Sequence, residues 1–145
     1  MAEFSIFRVE SITAELVSAF ERLIPQLTKA TIPSPTDLQM LLDSPSVLIV
    51  ARRSGPDGQI VGAATLGLFR TPSGQHAHIE DVIVDMDLRG QGCGEALVTH
   101  LLHIAREMGL HGVSLTCNPS RVAANQLYKK MGFQKWETSV YWYGL

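Results

Sequence analysis

Long apolar runs, cysteine and surplus charge are all scarce in this chain. No stretch of eighteen or more apolar residues occurs, so no membrane-spanning helix is expected. Cysteine appears only at Cys93 and Cys117, too few for a disulfide framework and without the spacing of a zinc site. A net charge of −2 leaves no basic surplus to grip nucleic acid. No Gly-Lys pair is present, which excludes the phosphate loop G-x-x-x-x-G-K-[ST]. The first residues, Met1-Ala2-Glu3-Phe4, lack the basic and apolar stretches of a secretory leader, so a cytoplasmic location is expected. What is abundant is core-forming material. Apolar residues make up 46% and charged residues 18% of 145 residues, the balance of one globular domain spanning 1–145.

Along the chain, strand and helix patterns alternate without repeats, low-complexity tracts or a dividing linker. Phe4 to Val9 is expected as a strand. Thr13 to about Ala30 has helical apolar spacing, with Pro25 as a kink or break. Ser34-Pro35-Thr36-Asp37 has the order of a helix start, cap then proline then acid, and that helix should end near Asp43. Val47 to Arg52, Ile60 to Phe69 and His76 to Asp85 form three further strands, divided by turns at Ser54–Gly58 and Thr71–Gly74. Leu97, Leu101, Ile104 and Met108 mark a helix that Gly109 stops. Val113 to Cys117 forms a short strand. Ala124, Leu127, Tyr128 and Met131 share a face of a helix ended by Gly132, and Phe133 to Tyr143 supplies one or two closing strands.

The stretch Arg89-Gly90-Gln91-Gly92-Cys93-Gly94-Glu95-Ala96-Leu97 follows an apolar strand and opens a helix. Glycines admit close backbone approach and positive φ. The first helical turn leaves N–H groups unpaired at the positive end of the dipole, a natural seat for a phosphate. Dinucleotide-fold spacing, G-x-G-x-x-G, fails because its last glycine falls on Glu95. The stretch instead resembles the coenzyme A loop of the GNAT family of N-acetyltransferases, [R/Q]-x-x-G-x-[G/A], with Arg89, Gly92 and Gly94 at the defined positions. A second segment, Asn118 to Phe133, resembles that family's A-x-x-[LF]-Y-x-x-x-G-F, matched by Ala124, Leu127, Tyr128, Gly132 and Phe133. Together the two cover roughly residues 75 to 135, in the family's order.

The resemblance implies an α/β GNAT fold. Its central sheet is mixed, mostly antiparallel, and has about 6–7 strands, with helices on both faces and a splayed parallel strand pair. That pair falls at about Ile79–Val84 and Val113–Cys117. Acetyl-CoA would lie in the wedge as co-substrate. Backbone groups of the Val82-Ile83-Val84 run, chiefly Val82 and Val84, would bond the pantetheine arm like an added strand. Amides of Gly90, Gln91, Gly92, Cys93, Gly94 and Glu95 would hold the pyrophosphate, Arg89 would add charge, and Asn118, Asn125 and Tyr128 would complete the cofactor side.

Acyl transfer to an amine needs a base, because an ordinary lysine-like amine is protonated at pH 7. Glu80 and Asp81 are the candidates, two carboxylates inside an Ile/Val strand. On a regular strand they point to opposite faces, and a bulge would re-aim either one. The triplet Ile79-Glu80-Asp81 also occurs in the glucosamine-phosphate acetyltransferases of the family, and Glu80 is the favoured base. Tyr128 is the candidate acid for the leaving thiolate.

Cys93 at a helix start is an alternative nucleophile. The pairs His76/His78 and His100/His103 lack a third ligand, so no metal is expected. Trp136, Tyr141, Trp142 and Tyr143 crowd the C-terminal region and would line the acceptor cleft, seal the core edge or form a homodimer contact. The expected partners are acetyl-CoA and an amine acceptor, with neither nucleic acid nor membrane. The acceptor is a small amine, amino acid, amino sugar or, less favoured, a protein amine, and its site is expected to be shaped by Leu23 to Asp43 and by the C-terminal strands. The rival reading is a non-catalytic acyl-CoA-binding sensor or interaction module.

Overall fold

The computed structural model describes residues 3–55 and 58–145. Four antiparallel strands lie in sequence order: β1 (Phe4–Arg8), β2 (Val47–Arg53), β3 (Ile60–Thr71) and β4 (Gly74–Val84). Thr71 pairs with Gly74 across the expected Pro72-Ser73 turn. The expected turn at Ser54–Gly58 includes Pro56 and Asp57, which lie outside the described residues.

Helices cover both faces. Alternation on β2 separates the two layers: Val47, Ile49 and Ala51 pack with the cluster of α3 (Cys93–Glu107), and Leu48 and Val50 pack with α1 (Ala14–Leu27) and α2 (Pro35–Asp43). The α1 helix runs through Pro25 and ends two residues later, short of Ala30, because the proline falls in the last turn. The start of α2 is a capping box: the Asp37 amide donates to the Ser34 hydroxyl at 3.1 Å, and the Ser34 amide donates to Asp37 Oδ2 at 2.8 Å. On α3 the buried stripe is Cys93, Leu97, Val98, Leu101 and Ala105, while Met108 lies at the exposed end.

The last helix, α4 (Val122–Lys130), ends in a Schellman motif. The Phe133 amide donates to Tyr128 O at 2.9 Å and the Gly132 amide to Lys129 O at 3.1 Å, with Gly132 at φ 98°. The Tyr128 and Phe133 rings meet edge to face at 5.6 Å, the apolar contact that accompanies this cap. Three of the residues matched in the second motif, Tyr128, Gly132 and Phe133, thus make a helix end.

The sheet is shorter than the sequence suggests. The segment expected as a strand at Val113–Cys117 meets β4 through one parallel bridge, His78 to Ser114, with Ser114 N to Ala77 O at 3.1 Å and Ile79 N to Ser114 O at 2.9 Å. The next rung would use the backbone of residue 81, which turns away at φ 50°. Parallel pairing therefore stops after this one bridge. The expected closing strands over Phe133–Tyr143 are not formed in the chain described: that segment has no ladder partner, and strand propensity alone does not hold an unpaired segment in a sheet. Trp136, Tyr141, Trp142 and Tyr143 all stand in solvent, so the expected cover on one side of them is absent here.

Candidate functional site: a bulged strand beside an uncapped helix start

The site is organised by a bulge in β4. Ala63 pairs with Ile83, and Thr65 pairs with Glu80, so β4 spends one extra residue opposite β3. Asp81 absorbs it at φ 50°, the one positive-φ non-glycine among the described residues. Aspartate tolerates this conformation better than most side chains. The consequence is a change of face. Ile79 packs on the α3 side, and so do Val82 and Val84. Glu80, opposite Thr65, and Asp81 both reach the α1–α2 side, where Ile83 is buried. The regular-strand expectation of opposite faces is thereby corrected, and the re-aiming bulge is present.

Both carboxylates are solvent-exposed, and among the described residues neither has an ion-pair or hydrogen-bond partner. They border two clefts. Ser46, Gly67, Phe69, His78 and Glu80 line an open cleft of about 390 Å³. Asp81 lines a more enclosed one of about 150 Å³ with Phe20, Ile24, Leu41, Leu48 and Ile83.

The backbone of β4 provides an open edge. Asp85 N donates to Val61 O at 2.8 Å, so the neighbouring Val84 turns its own backbone groups away from β3. The same alternation turns Val82 outward and sends Ile83 back to its partner Ala63. Ile83 therefore does not belong to the cofactor edge. Arg89 is exposed and folds back, its Nε donating to Val84 O at 3.3 Å.

After a 3₁₀ turn at Met86–Leu88 the chain enters the glycine loop. The turn is moored to α1: Gln26 Oε1 accepts from Met86 N at 2.8 Å, and Arg22 meets Asp85 at 3.4 Å while also donating to Ile60 O. Gly92 caps α3 at φ 89° with no side-chain capping bond. Ala96 N bonds Gly92 O, but the amides of residues 91–95 have no acceptor among the described residues. Five uncapped donors thus collect at the positive end of a fifteen-residue helix.

Gly62 lets this helix end sit close to the sheet. A Cβ there would lie 2.9 Å from Ile83 O and 3.2 Å from Cys93 Sγ. Cys93 fills the gap, 1% exposed, and burial pushes its thiol up to about 11. A thiol so buried is no nucleophile, which removes that alternative.

The α4 helix closes the other side of the loop. Leu127 lies beside Gly94, and Lys130 Nζ approaches Glu95 Oε2 at 3.6 Å. Tyr128 is half-buried on the same face; burial, then the proximity of Cys117, raises its phenol above the ordinary value. Its hydroxyl has no hydrogen-bond partner among the described residues. Asn125 is occupied within the chain, its Nδ2 donating to Asn118 O at 3.0 Å and Arg121 O at 2.9 Å. Asn118 Oδ1 accepts from Ser120 N at 2.9 Å. These two asparagines shape the turn before α4 and have few groups left for a ligand.

Three of the five histidines have local partners. His76 Nε2 meets Thr71 and Ser73 hydroxyls, His78 meets Ser114, and His103 pairs with Glu107 at 3.1 Å. No group of three metal-ligating side chains occurs among the described residues, and no helix described is long and apolar enough to cross a membrane. Cleft residues such as Phe20 and Ser46 escaped sequence reasoning, since each looks like ordinary helix or loop material and meets β4 only through the fold, whereas Ile24, Asp37 and Leu41 lie in the stretch from Leu23 to Asp43 expected to shape the acceptor site.

Comparison with known proteins points the same way. Residues 10–133 match the model of the acetyltransferase (GNAT) family. A glucosamine 6-phosphate N-acetyltransferase of Trypanosoma brucei brucei is 32% identical over 133 residues, 83% of this chain and 84% of that protein. A probable glucosamine 6-phosphate N-acetyltransferase 2 of Oryza sativa subsp. japonica is 35% identical over 100 residues, 67% of this chain but only 58% of the rice protein. The crystal structure of a Trypanosoma brucei acetyltransferase aligns over 97% of this chain and 99% of its own, with a TM-score of 0.74 and 29% identity.

Proposed function

This chain belongs to the GNAT acetyltransferase family, and from that premise we propose that its 1–145 domain transfers an acetyl group from acetyl-CoA to a primary amine, by direct attack in a ternary complex. The observation that carries the reading is the row of five unpaired amides at residues 91–95, set against the outward-facing edge of β4. The residues fit the co-substrate: pyrophosphate oxygens suit the amides, and the backbone of Val82 and Val84 suits the amide-bearing arm. A side chain is missing at Gly90 and Gly92, where a Cβ would project into open space.

Acetyl-CoA supplies the activated acyl group. The chain's own groups handle protons. Glu80, with Asp81 beside it, takes a proton from the incoming ammonium, directly or through water. As the new N–C bond forms and the C–S bond breaks, the Tyr128 hydroxyl gives its proton to the departing sulfur. The raised phenol keeps that proton at neutral pH. Backbone near Val82 polarises the carbonyl. The acceptor classes that remain are small amines, amino acids, amino sugars and protein amines, and the names of the relatives add glucosamine 6-phosphate.

The test is calorimetric titration with acetyl-CoA followed by thiol release across amine classes. Binding with thiol release by at least one amine is expected. Binding without release from any class would instead support the acyl-CoA sensor, and no binding would refute the anion site.

A further inference from the structure

The geometry points to an acceptor that the relatives' names do not suggest: a primary amine carrying one compact apolar group and no phosphate, its apolar part seated between α1, α2 and the sheet and its ammonium facing Asp81. This rests on the acetyltransferase reading above.

Three observations carry it. The enclosed cleft is about 150 Å³ and is walled by Phe20, Ile24, Leu41, Leu48 and Ile83. An apolar cavity of about that volume holds one benzene-sized group. Its charged lining is acidic, Asp37 and Asp81, and neither this cleft nor the larger one beside Glu80 is lined by lysine or arginine among the described residues. Phosphate recognition relies on such cations or on free helix-start amides. The nearby helix start, that of α2, already holds a carboxylate, that of Asp37, and its Asp37 and Leu38 amides bond Ser34. The Ser34 amide and hydroxyl both donate to the Asp37 carboxylate at 2.8 Å, and these bonds, the amide's first, hold that carboxyl below its ordinary range. A sugar phosphate entering here would meet two carboxylates and no compensating cation, whereas an ammonium would meet favourable charge.

The reaction balances without another reagent. The ammonium loses two protons, one to the carboxylates and on to solvent, the other compensating the proton given to the sulfur; the N–C bond replaces the C–S bond.

The experiment is thiol release at saturating acetyl-CoA with 2-phenylethylamine, 3-methylbutylamine, methylamine, glucosamine and glucosamine 6-phosphate. The first two should exceed glucosamine 6-phosphate in kcat/KM by about tenfold or more, the scale on which apolar pockets discriminate. Leu41→Trp, which fills the cleft, should lower the ratio of 2-phenylethylamine to methylamine by about as much, mainly through KM. If Leu41→Trp fails to fold, Ile24→Phe narrows the cleft from the α1 side. Preference for glucosamine 6-phosphate, or an unchanged ratio in a folded cleft variant, overturns the acceptor assignment and leaves the transferase intact. Acetyl-CoA binding without thiol release from any probe overturns both.

Discussion

Alanine at Gly92 and alanine at Gly94 should move stability in opposite directions. Gly92 sits at φ 89°, ψ 4°, and a methyl group added to it would meet nothing within 4 Å, so the cost of a side chain there is purely conformational. A left-handed residue with a Cβ costs roughly 1–2 kcal/mol, and more if β-branched. For a domain of this size that corresponds to a fall of roughly 3–7 °C in Tm. Gly94 has no positive φ, and its Cβ would meet Val84 Cγ2 at 3.8 Å and Leu127 Cδ2 at 3.9 Å, ordinary contact distances. Alanine there restricts the unfolded chain and should add about 0.4–1 kcal/mol. Thermal melts with and without acetyl-CoA then test the site. At a hundredfold excess over Kd the ligand should stabilise the parent by about 2.7 kcal/mol. Gly92→Val should lose that shift, because the strained turn no longer aims the amides of 91–95 together and the branched side chain occupies the approach. A full ligand shift in Gly92→Val would refute the anion site. An unchanged Tm in Gly92→Ala would refute the left-handed cap.

Tyr128→Phe should leave stability within about 1 kcal/mol of the parent, since the hydroxyl has no partner in the fold, yet lower turnover roughly 100-fold; an unaffected turnover returns Tyr128 to a packing role. The phenol's folded value is raised, so the stability it contributes is fully present below the ordinary value near 10 and is lost as pH rises through the higher folded one; the alkaline limb of activity should shift with it and vanish in the Phe variant, as a pH–rate series would reveal. Glu80→Gln should retain acetyl-CoA affinity and lose turnover, with a loss that shrinks at higher pH where more amine is neutral; if Asp81→Asn alone fails, the two carboxylates exchange roles. Asp81→Gly should relieve the φ of 50° and raise stability by about 1 kcal/mol while lowering turnover, and a destabilised Asp81→Gly would contradict the strained bulge. Iodoacetamide at pH 8 should modify Cys117 well before the buried Cys93, whose thiol lies near 11; rapid loss of the Cys93 thiol in folded protein would contradict its burial.

Local chemistry was the legible part. Ser34 and Asp37 declare a capping box, and Gly132-Phe133 declares a helix end, because each device is closed within a few residues. The glycine loop is equally local. The bulge was visible only as an option: Ile79 to Val84 reads as an Ile/Val strand holding two adjacent carboxylates, and the extra residue at Asp81 is fixed by pairing with β3, not by its neighbours. The acceptor cleft was legible only as a stretch, Leu23 to Asp43, that supplies one wall; the rest was not, since Phe20, Thr65 and Ile83 join it from far apart in the chain. The C-terminal segment misled because alternating aromatics satisfy a strand pattern without supplying the partner edge that a strand needs.

Both tryptophans of the chain, Trp136 and Trp142, lie on that exposed C-terminal segment, 75% and 92% open to water. Intrinsic tryptophan emission therefore reports on the arm and not on the packed layers. Red-shifted emission is expected from the native protein, and collisional quenchers such as acrylamide should reach both indoles. A thermal or denaturant melt followed by tryptophan emission would pass through the loss of the core with little change in signal, so circular dichroism or calorimetry has to define the transition. The same optical blindness is an opportunity: any event that covers the arm, whether closure onto its own sheet or contact with another molecule, should register as a blue shift against a quiet background.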